Sequence, residues 1–315
     1  QQFNTTATVG NLNNHIGVPL TPLNINSNTT IALIEMGANH LKEIELLAAI
    51  AAPTHGYITN FGKAHLEGFG SIEGVVRGKS ELYQFLAKNK GVCLINSADP
   101  IQVSGTQNQK TFSFGTSDKA AVTIQNIDRG ADQNIVICTE ETEIISQLKG
   151  AYNFTNIAAA IAFGYYFKVP IVKIKKGIEA YNPTNNRSQW HKTDSNTLVL
   201  DAYNANPSSM KAALESFFRA KKEDHVLILG DMLELGSFAD EEHQKIVYLI
   251  ETKKVAEVLL IGPEFNKTKT STSGFKKFNS TASAIPYLQE KNFQNKTILI
   301  KGSRGIGLEV LKDYL

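Results

Sequence analysis

GYITNFGKAHLEGFGSIEGVVRGKSELYQFLA, residues Gly56–Ala87, is the stretch on which the fold turns. Gly56–Asn60 reads as a strand, and Ser71–Ala87 as a helix whose apolar positions Val75, Val76, Leu82 and Phe85 face a core. The segment between them, Ala64–Gly70, carries more polar groups than a purely structural turn needs. Upstream the same alternation runs once already, with Thr30–Met36 as a strand and His40–Ala51 as a helix. That rhythm predicts βαβ units and a largely parallel sheet.

Downstream, from Gly91 to Gln147, the pattern changes to short β-like runs: Val92–Ile95, Thr111–Phe114, Ala121–Ile127 and Asn134–Cys138, separated by Gly, Asp and Asn turns. They predict a mostly β addition to the same sheet. Helices are expected at Tyr152–Phe167 and Ile171–Tyr181, ending at Asn182-Pro183, and Asn182–Ser188 is the linker. Beyond it the alternation restarts. Thr197–Leu200, Val226–Leu229, Val258–Ile261 and Thr297–Ile300 read as strands, interleaved with helical Ser208–Phe218, Asp240–Glu251, Ala282–Gln289 and Leu308–Tyr314. The expectation is an α/β chain of two domains, residues 1–184 and 185–315, the second smaller and Rossmann-like. The polar stretch Asn266–Ser273 reads as a loop.

Composition narrows the function classes. A length of 315 residues allows one to three domains, and Lys+Arg 32 against Asp+Glu 30 gives a net charge of +2. Nothing there calls for nucleic acid or an anionic membrane. No apolar run approaches the ~20 residues needed to span a bilayer, and the N-terminus lacks a signal-peptide pattern. Cys93 and Cys138 sit in apolar, strand-like contexts without metal-ligand spacing, which fits free thiols in a reducing, cytoplasmic setting. The chain starts without Met, at Gln1-Gln2-Phe3, and reads as a fragment.

Ligands of open parallel sheets bind at the carboxyl ends of strands, so polar residues there are the candidates. Glu35 ends the apolar strand Ile31–Ile34, and His65 follows the next one. A His and a Glu on neighbouring strand ends can hold a hard metal, and magnesium suits oxygen ligands supplemented by substrate phosphates. The plainer alternatives are a helix-capping acid and a structural histidine. Lys79, from spacing alone, is a solvated helix lysine. Asn153 and Asn156 offer amides to a base or phosphate, or simply cap a helix. Arg187 suits a bidentate phosphate clamp and Asp201 a ribose hydroxyl. Gly230–Gly236 and Lys301–Arg304 again sit just past strands, and neither matches the dinucleotide fingerprint of a dehydrogenase.

Taken together, TVGNLNNHIGVPL (Thr8–Leu20), IEMGANH (Ile34–His40), ITNFGKAHLEGFGSIEGVVRGKSEL (Ile58–Leu82), DAYNANP (Asp201–Pro207), GDMLELG (Gly230–Gly236) and KGSR (Lys301–Arg304) closely resemble the Mur ligase family. Within it the likeness is to members that join D-alanyl-D-alanine to UDP-N-acetylmuramoyl-tripeptide with ATP, through an acyl phosphate, in cytoplasmic peptidoglycan precursor synthesis. The resemblance implies that residues 1–184 are the central ATPase domain and 185–315 the C-terminal ligase domain of a monomer. It also implies roles. Glu35 and His65 would be Mg2+ ligands, joined by Lys79 once CO2 has converted it to a carbamate. Asn11 and Asn14 would lie near the tripeptide's reactive end. Asn153, Asn156, Arg187 and Asp201 would contact ATP, with Arg187 reaching the terminal phosphates. Asp231, Glu234, Lys301, Ser303 and Arg304 would face the dipeptide, with His243 the alternative to Lys301 and Arg304 alongside Asp231 and Glu234.

This sequence departs from the family pattern in three places. The glycine-rich phosphate loop and the uridine-binding domain are absent, so the fragment is expected to be inactive by itself. Tyr152 stands where relatives commonly have His. The rival readings are a ligase that adds a different amino acid and a non-catalytic fragment.

Overall fold

A computed structural model describes residues 2–127, 134–183, 189–219, 224–253 and 255–315. In the first lobe the strands are β1 (Thr5–Ala7), β2 (Ile31–Leu33), β3 (His55–Gly56), β4 (Val92–Asn96), β5 (Thr111–Gly115), β6 (Val122–Thr123), β7 (Gln125–Ile127), β8 (Asn134–Thr139) and β9 (Thr142–Lys149). β1 and β2 form a parallel pair, and β3-β4-β5-β6 a separate parallel sheet. The strand read at Gly56–Asn60 pairs only at His55 and Gly56. Beyond them a side chain takes over the ladder's role: buried Gln102 donates from Nε2 to the Ile58 carbonyl (2.9 Å) and accepts at Oε1 from the Asn96 amide (2.8 Å).

The β addition departs from the sequence expectation. Ala121–Ile127 is not one strand, because the chain leaves the parallel sheet at Ile124 and enters another. β7, β8 and β9 form their own antiparallel sheet, and the helix Ile171–Glu179 lies along β9, with Glu179 accepting from Ile145 N (3.1 Å), while the helix Phe154–Tyr166 packs on β4 and β5 and shares one apolar cluster with both sheets through Ile157, Ile161 and Ala162. Two short runs in sequence can thus belong to different sheets, since alternation fixes faces but not partners.

The helix Ile72–Lys88 starts where Ser71 caps it, with Oγ accepting from the Gly74 amide at 3.1 Å. The edge of the Phe69 ring meets it at Gly78. A Cβ on Gly78 would stand 2.4 Å from the Phe69 ring, so this approach requires glycine.

The second lobe contains β10 (Gln189–Lys192), β11 (Thr197–Asp201), β12 (His225–Gly230), β13 (Glu257–Ile261), β14 (Phe275–Phe278) and β15 (Thr297–Lys301), in the order β10-β11-β15-β12-β13-β14. Only β10 is antiparallel. Every residue of β12, β13 and β15 is buried, the mark of a parallel sheet covered on both faces. Helices Pro207–Arg219 and Ala239–Glu251 cover one face, and Thr281–Lys291 with the C-terminal segment the other. That segment, Leu308–Tyr314, is a 3-10 helix rather than an α-helix.

The lobes share a core. Leu66, Phe69 and Val75 of the first pack with Met210, Leu214, Met232 and Leu235 of the second. The expected boundary at 184/185, and Arg187 with it, lies outside the described residues. Both cysteines are free, and burial pushes the Cys93 thiol up to about 11. No helix among the described residues is long and apolar enough to cross a membrane.

Candidate functional site

Three segments meet at the carboxyl ends of β1 and β2. Thr8 Oγ1 accepts from the Glu35 amide (2.9 Å), and Asn13 Nδ2 donates to Glu35 Oε1 (3.0 Å). Asn13 also accepts at its carbonyl from Gly37 N (2.7 Å). Glu35 is exposed, its carboxylate aligned from one side. Asn11 and Asn14 are exposed beside it, and Asn14 Oδ1 accepts from the Ile16 and Gly17 amides, opening the helix Gly17–Leu23. Sequence reasoning missed Asn13, which lies inside the NLNN run between its two neighbouring candidates.

The next loop is built by acids that the sequence did not single out. Glu43 Oε2 accepts from the Asn39 and His40 amides (2.7 and 2.9 Å). Buried Glu81 takes the Lys42 and Glu45 amides on its two oxygens (2.7 and 3.0 Å). Helix Ile72–Lys88 therefore fixes the loop after β2 with Glu81 and presents Lys79 two residues earlier. Lys79 is half-buried, its Nζ donates to the Asn60 carbonyl (2.8 Å), and burial lowers its pKa. That setting makes the ammonium easier to deprotonate than that of a free lysine.

Asn60 begins a loop that the second lobe grips. Lys63 N donates to Ser208 Oγ (2.8 Å), and Lys63 Nζ to Glu242 Oε1 (2.7 Å), whose side chain is 6% exposed. His65, in a left-handed conformation, bonds through Nδ1 to Glu234 Oε2, and Glu67 N donates to the Glu234 carbonyl (3.2 Å). A second bridge places the Lys149 ammonium 4.2 Å from the Trp190 ring centroid. Nearby Asn153 is buried and donates from Nδ2 to the Lys149 carbonyl (2.8 Å), without capping the helix that follows; Asn156 is exposed.

In the second lobe most candidates face inward. Asp231 is fully buried, and its two carboxylate oxygens accept from the Glu264 and Phe265 amides (both 2.8 Å). Gly262 leaves the space it needs, since a Cβ there would stand 2.3 Å from that carboxyl. His243, also fully buried, accepts at Nε2 from Met232 N (3.0 Å) and donates from Nδ1 to the Ala239 carbonyl (2.7 Å), an arrangement only the neutral ring makes. Burial is the main cause that pushes Asp231 up and His243 down. Ser303 donates to the Ala205 carbonyl and accepts from Leu233 N. Lys301 is 2% exposed, with Nζ 2.6 Å from Asp201 Oδ2. In this structure the polar atoms of Lys301, Asp231, His243 and Ser303, expected to face a ligand, bond within their own lobe. Arg304 and Glu234 remain exposed, Arg304 with its guanidinium 5.8 Å from the Tyr203 ring centroid.

No group of three or more His, Cys, Asp or Glu side chains converges to hold a metal among the described residues. Magnesium does not require one, because it keeps several waters and binds through one or two carboxylates plus substrate phosphates. Exposed Glu35 fits that pattern.

Residues 1–164 match the family described as Mur ligase middle domain, and residues 186–304 the Mur ligase, glutamate ligase domain. The UDP-N-acetylmuramoyl-tripeptide–D-alanyl-D-alanine ligase of Bacillus subtilis (strain 168) is 33% identical over 331 residues, covering 100% of this chain and 70% of that protein. Its namesake in Escherichia coli (strain K12) is 31% identical over 316 residues, covering 97% and 70%. Among solved structures, a crystal structure of MurF from Acinetobacter baumannii superposes with a TM-score of 0.88 at 28% identity, over 99% of this chain and 70% of that one.

Proposed function

The chain belongs to the Mur ligase family, and from that premise we propose that it acts as the ATP-dependent ligase that joins D-alanyl-D-alanine to UDP-N-acetylmuramoyl-tripeptide. The observation that carries this reading is the 33% identity with a ligase of that name, running through both lobes and the whole chain. ATP converts the tripeptide's terminal carboxylate to an acyl phosphate, and the dipeptide amine attacks it.

Within this reading the first lobe supplies the reacting edge. Asn11, Asn13 and Asn14 offer amides beside Glu35, where the tripeptide's reactive end would lie. Glu35 and His65 would hold Mg2+, with His65 first giving up its bond to Glu234. The ion would supply charge neutralisation at the transferring phosphoryl group. Lys79, whose pKa burial lowers, is suited to capture CO2, and the resulting carbamate would present oxygens to the same ion. Asn153, Asn156 and Arg187 would position ATP, and Asp201 would serve its ribose by way of a turn shared with Lys301. On the second lobe, the exposed Arg304 and Glu234 would receive the dipeptide, a guanidinium for its carboxylate and a carboxylate for its ammonium.

The test is phosphate release from ATP, assayed on this chain and on the chain extended to the full length of its relatives. Release from the extended chain that requires both UDP-N-acetylmuramoyl-tripeptide and D-alanyl-D-alanine is expected. Release supported by the nucleotide with a single amino acid, and not with the dipeptide, overturns the assignment of the acceptor.

A further inference from the structure

The candidate site lies at the carboxyl ends of the strands. At the amino-terminal edge of the parallel sheet β3-β4-β5-β6 is a concavity of about 310 Å³, within the range of small-molecule sites. Register builds it. His55 pairs with Val92 and Cys93 with Thr111, so His55, Lys90 and Lys110 come from three neighbouring strand starts. Phe85 and Val92 give it apolar wall, and among the described residues no Asp or Glu lines it. In a chain whose charges nearly balance, a concavity with two lysines and no acid is a local excess of positive charge.

His55 is held in place by other residues of the same wall. His55 Nδ1 bonds to Thr54 Oγ1 (2.9 Å) and Nε2 to Tyr166 Oη (3.0 Å), and its ring packs edge-on against Tyr166 and Phe167. Lys90 has φ 56, a left-handed conformation that L residues other than Asn rarely adopt, and it stops the helix Ile72–Lys88 just where the strand begins. Burial, and then the Lys110 charge, lower the pKa of His55. Lys110 therefore bears directly on the imidazole, with no acid in the wall to offset it.

We propose that this pocket is a binding site for a small phosphate ester, distinct from the ligase site, with Lys90 and Lys110 holding the phosphate and Phe85 and Val92 packing the organic group. Two ammonium groups at one opening match a dianion, and lysine binds phosphate as a point charge. The proposal stands apart from the ligase reading, because none of its residues belongs to that edge.

The test uses the 15N-labelled chain titrated with phenyl phosphate, with inorganic phosphate and phenol as separate arms. Saturable shifts are expected at the amides of Gly91, Val92 and Lys110, weaker with inorganic phosphate and absent with phenol. Lys110→Met, and Lys90→Asn, which keeps a residue at ease in the left-handed conformation, each weaken binding by roughly tenfold or more. Both positions are exposed, and an unchanged thermal transition checks that the variants fold. The proposal fails if millimolar phenyl phosphate produces no shift at these amides, or if the double variant binds as the parent does. Equal response to inorganic phosphate removes the apolar half of the site, and shifts confined to the Asn153 region place the ligand in the ligase site instead.

Discussion

The loops at the carboxyl edges of the two sheets hold similar residues and treat them in opposite ways. On the first lobe, Glu35, Asn11, Asn14 and Asn156 are exposed, and Lys79 is half-buried with one hydrogen bond to a carbonyl. On the second, Asp231, His243, Ser303 and Lys301 are buried, and their polar atoms are met by the lobe's own amides, carbonyls and Asp201. A charged residue just past a strand is thus open to solvent on the first lobe and engaged internally on the second. Buried, the same residue is a structural part, since an unpaired buried charge is costly and must be matched internally.

The largest effect expected from this contrast is on activity. Lys79→Ala, in the chain extended to the length of its relatives, should lose ligation almost completely while its thermal transition stays close to the parent's. A short carboxylic acid added to the assay should restore part of the rate by standing in for the proposed carbamate. Full activity without it removes Lys79 from the reaction. Asp231→Ala should do the reverse, lowering folding stability by about 3 kcal/mol as the Glu264 and Phe265 amides lose their buried acceptor. A denaturant midpoint unchanged from the parent's would mean that Asp231 is not the keystone of that turn.

A pH effect on stability follows from His243, whose folded pKa lies below the ordinary 6.5. Below 6.5 the unfolded chain binds a proton that the folded chain refuses. The stability from the neutral imidazole is therefore present above 6.5 and is lost as pH falls from there toward the depressed folded value. Urea midpoints measured downward from pH 7 should fall across this window, and His243→Gln should flatten that part of the curve. Asp231, shifted upward, pulls the opposite way as pH rises through its own range, so the slope in the single variant isolates the histidine.

Smaller effects belong to the junction and the exposed rim. Lys63→Met removes one of two lysines from Glu242, leaving Lys245 at 2.9 Å, so a loss of about 1 kcal/mol in the coupling of the two lobes is expected. Spin labels on the two lobes would show a broadened distance distribution in the variant, and an unaltered one would assign the coupling to the shared core of Leu66, Phe69 and Met210. Arg304→Ala should leave stability alone and raise the KM for dipeptide more than that for ATP.

Much of this fold was legible in the sequence for a physical reason. Strands buried on both faces, such as Val226–Leu229 and Thr297–Ile300, are continuous apolar runs, and the helix Ile72–Lys88 has a serine cap and an apolar stripe. What was not legible were the partners. Periodicity cannot reveal that Gln102 replaces a strand beside Ile58, or that Ile124 is where the chain changes sheets. Lys301 looked like an exposed cation because only the three-dimensional pairing of β11 with β15 sets it against Asp201. The motifs pointed to both edges, and which residues there are exposed depends on contacts made across the chain.

The most direct test of the central claim is the mass of the product formed when the extended chain is given ATP, UDP-N-acetylmuramoyl-tripeptide and an equimolar mixture of D-alanyl-D-alanine with single amino acids. A nucleotide product heavier by the dipeptide alone, formed only with ATP, is the predicted result. A product heavier by one amino acid would contradict the account.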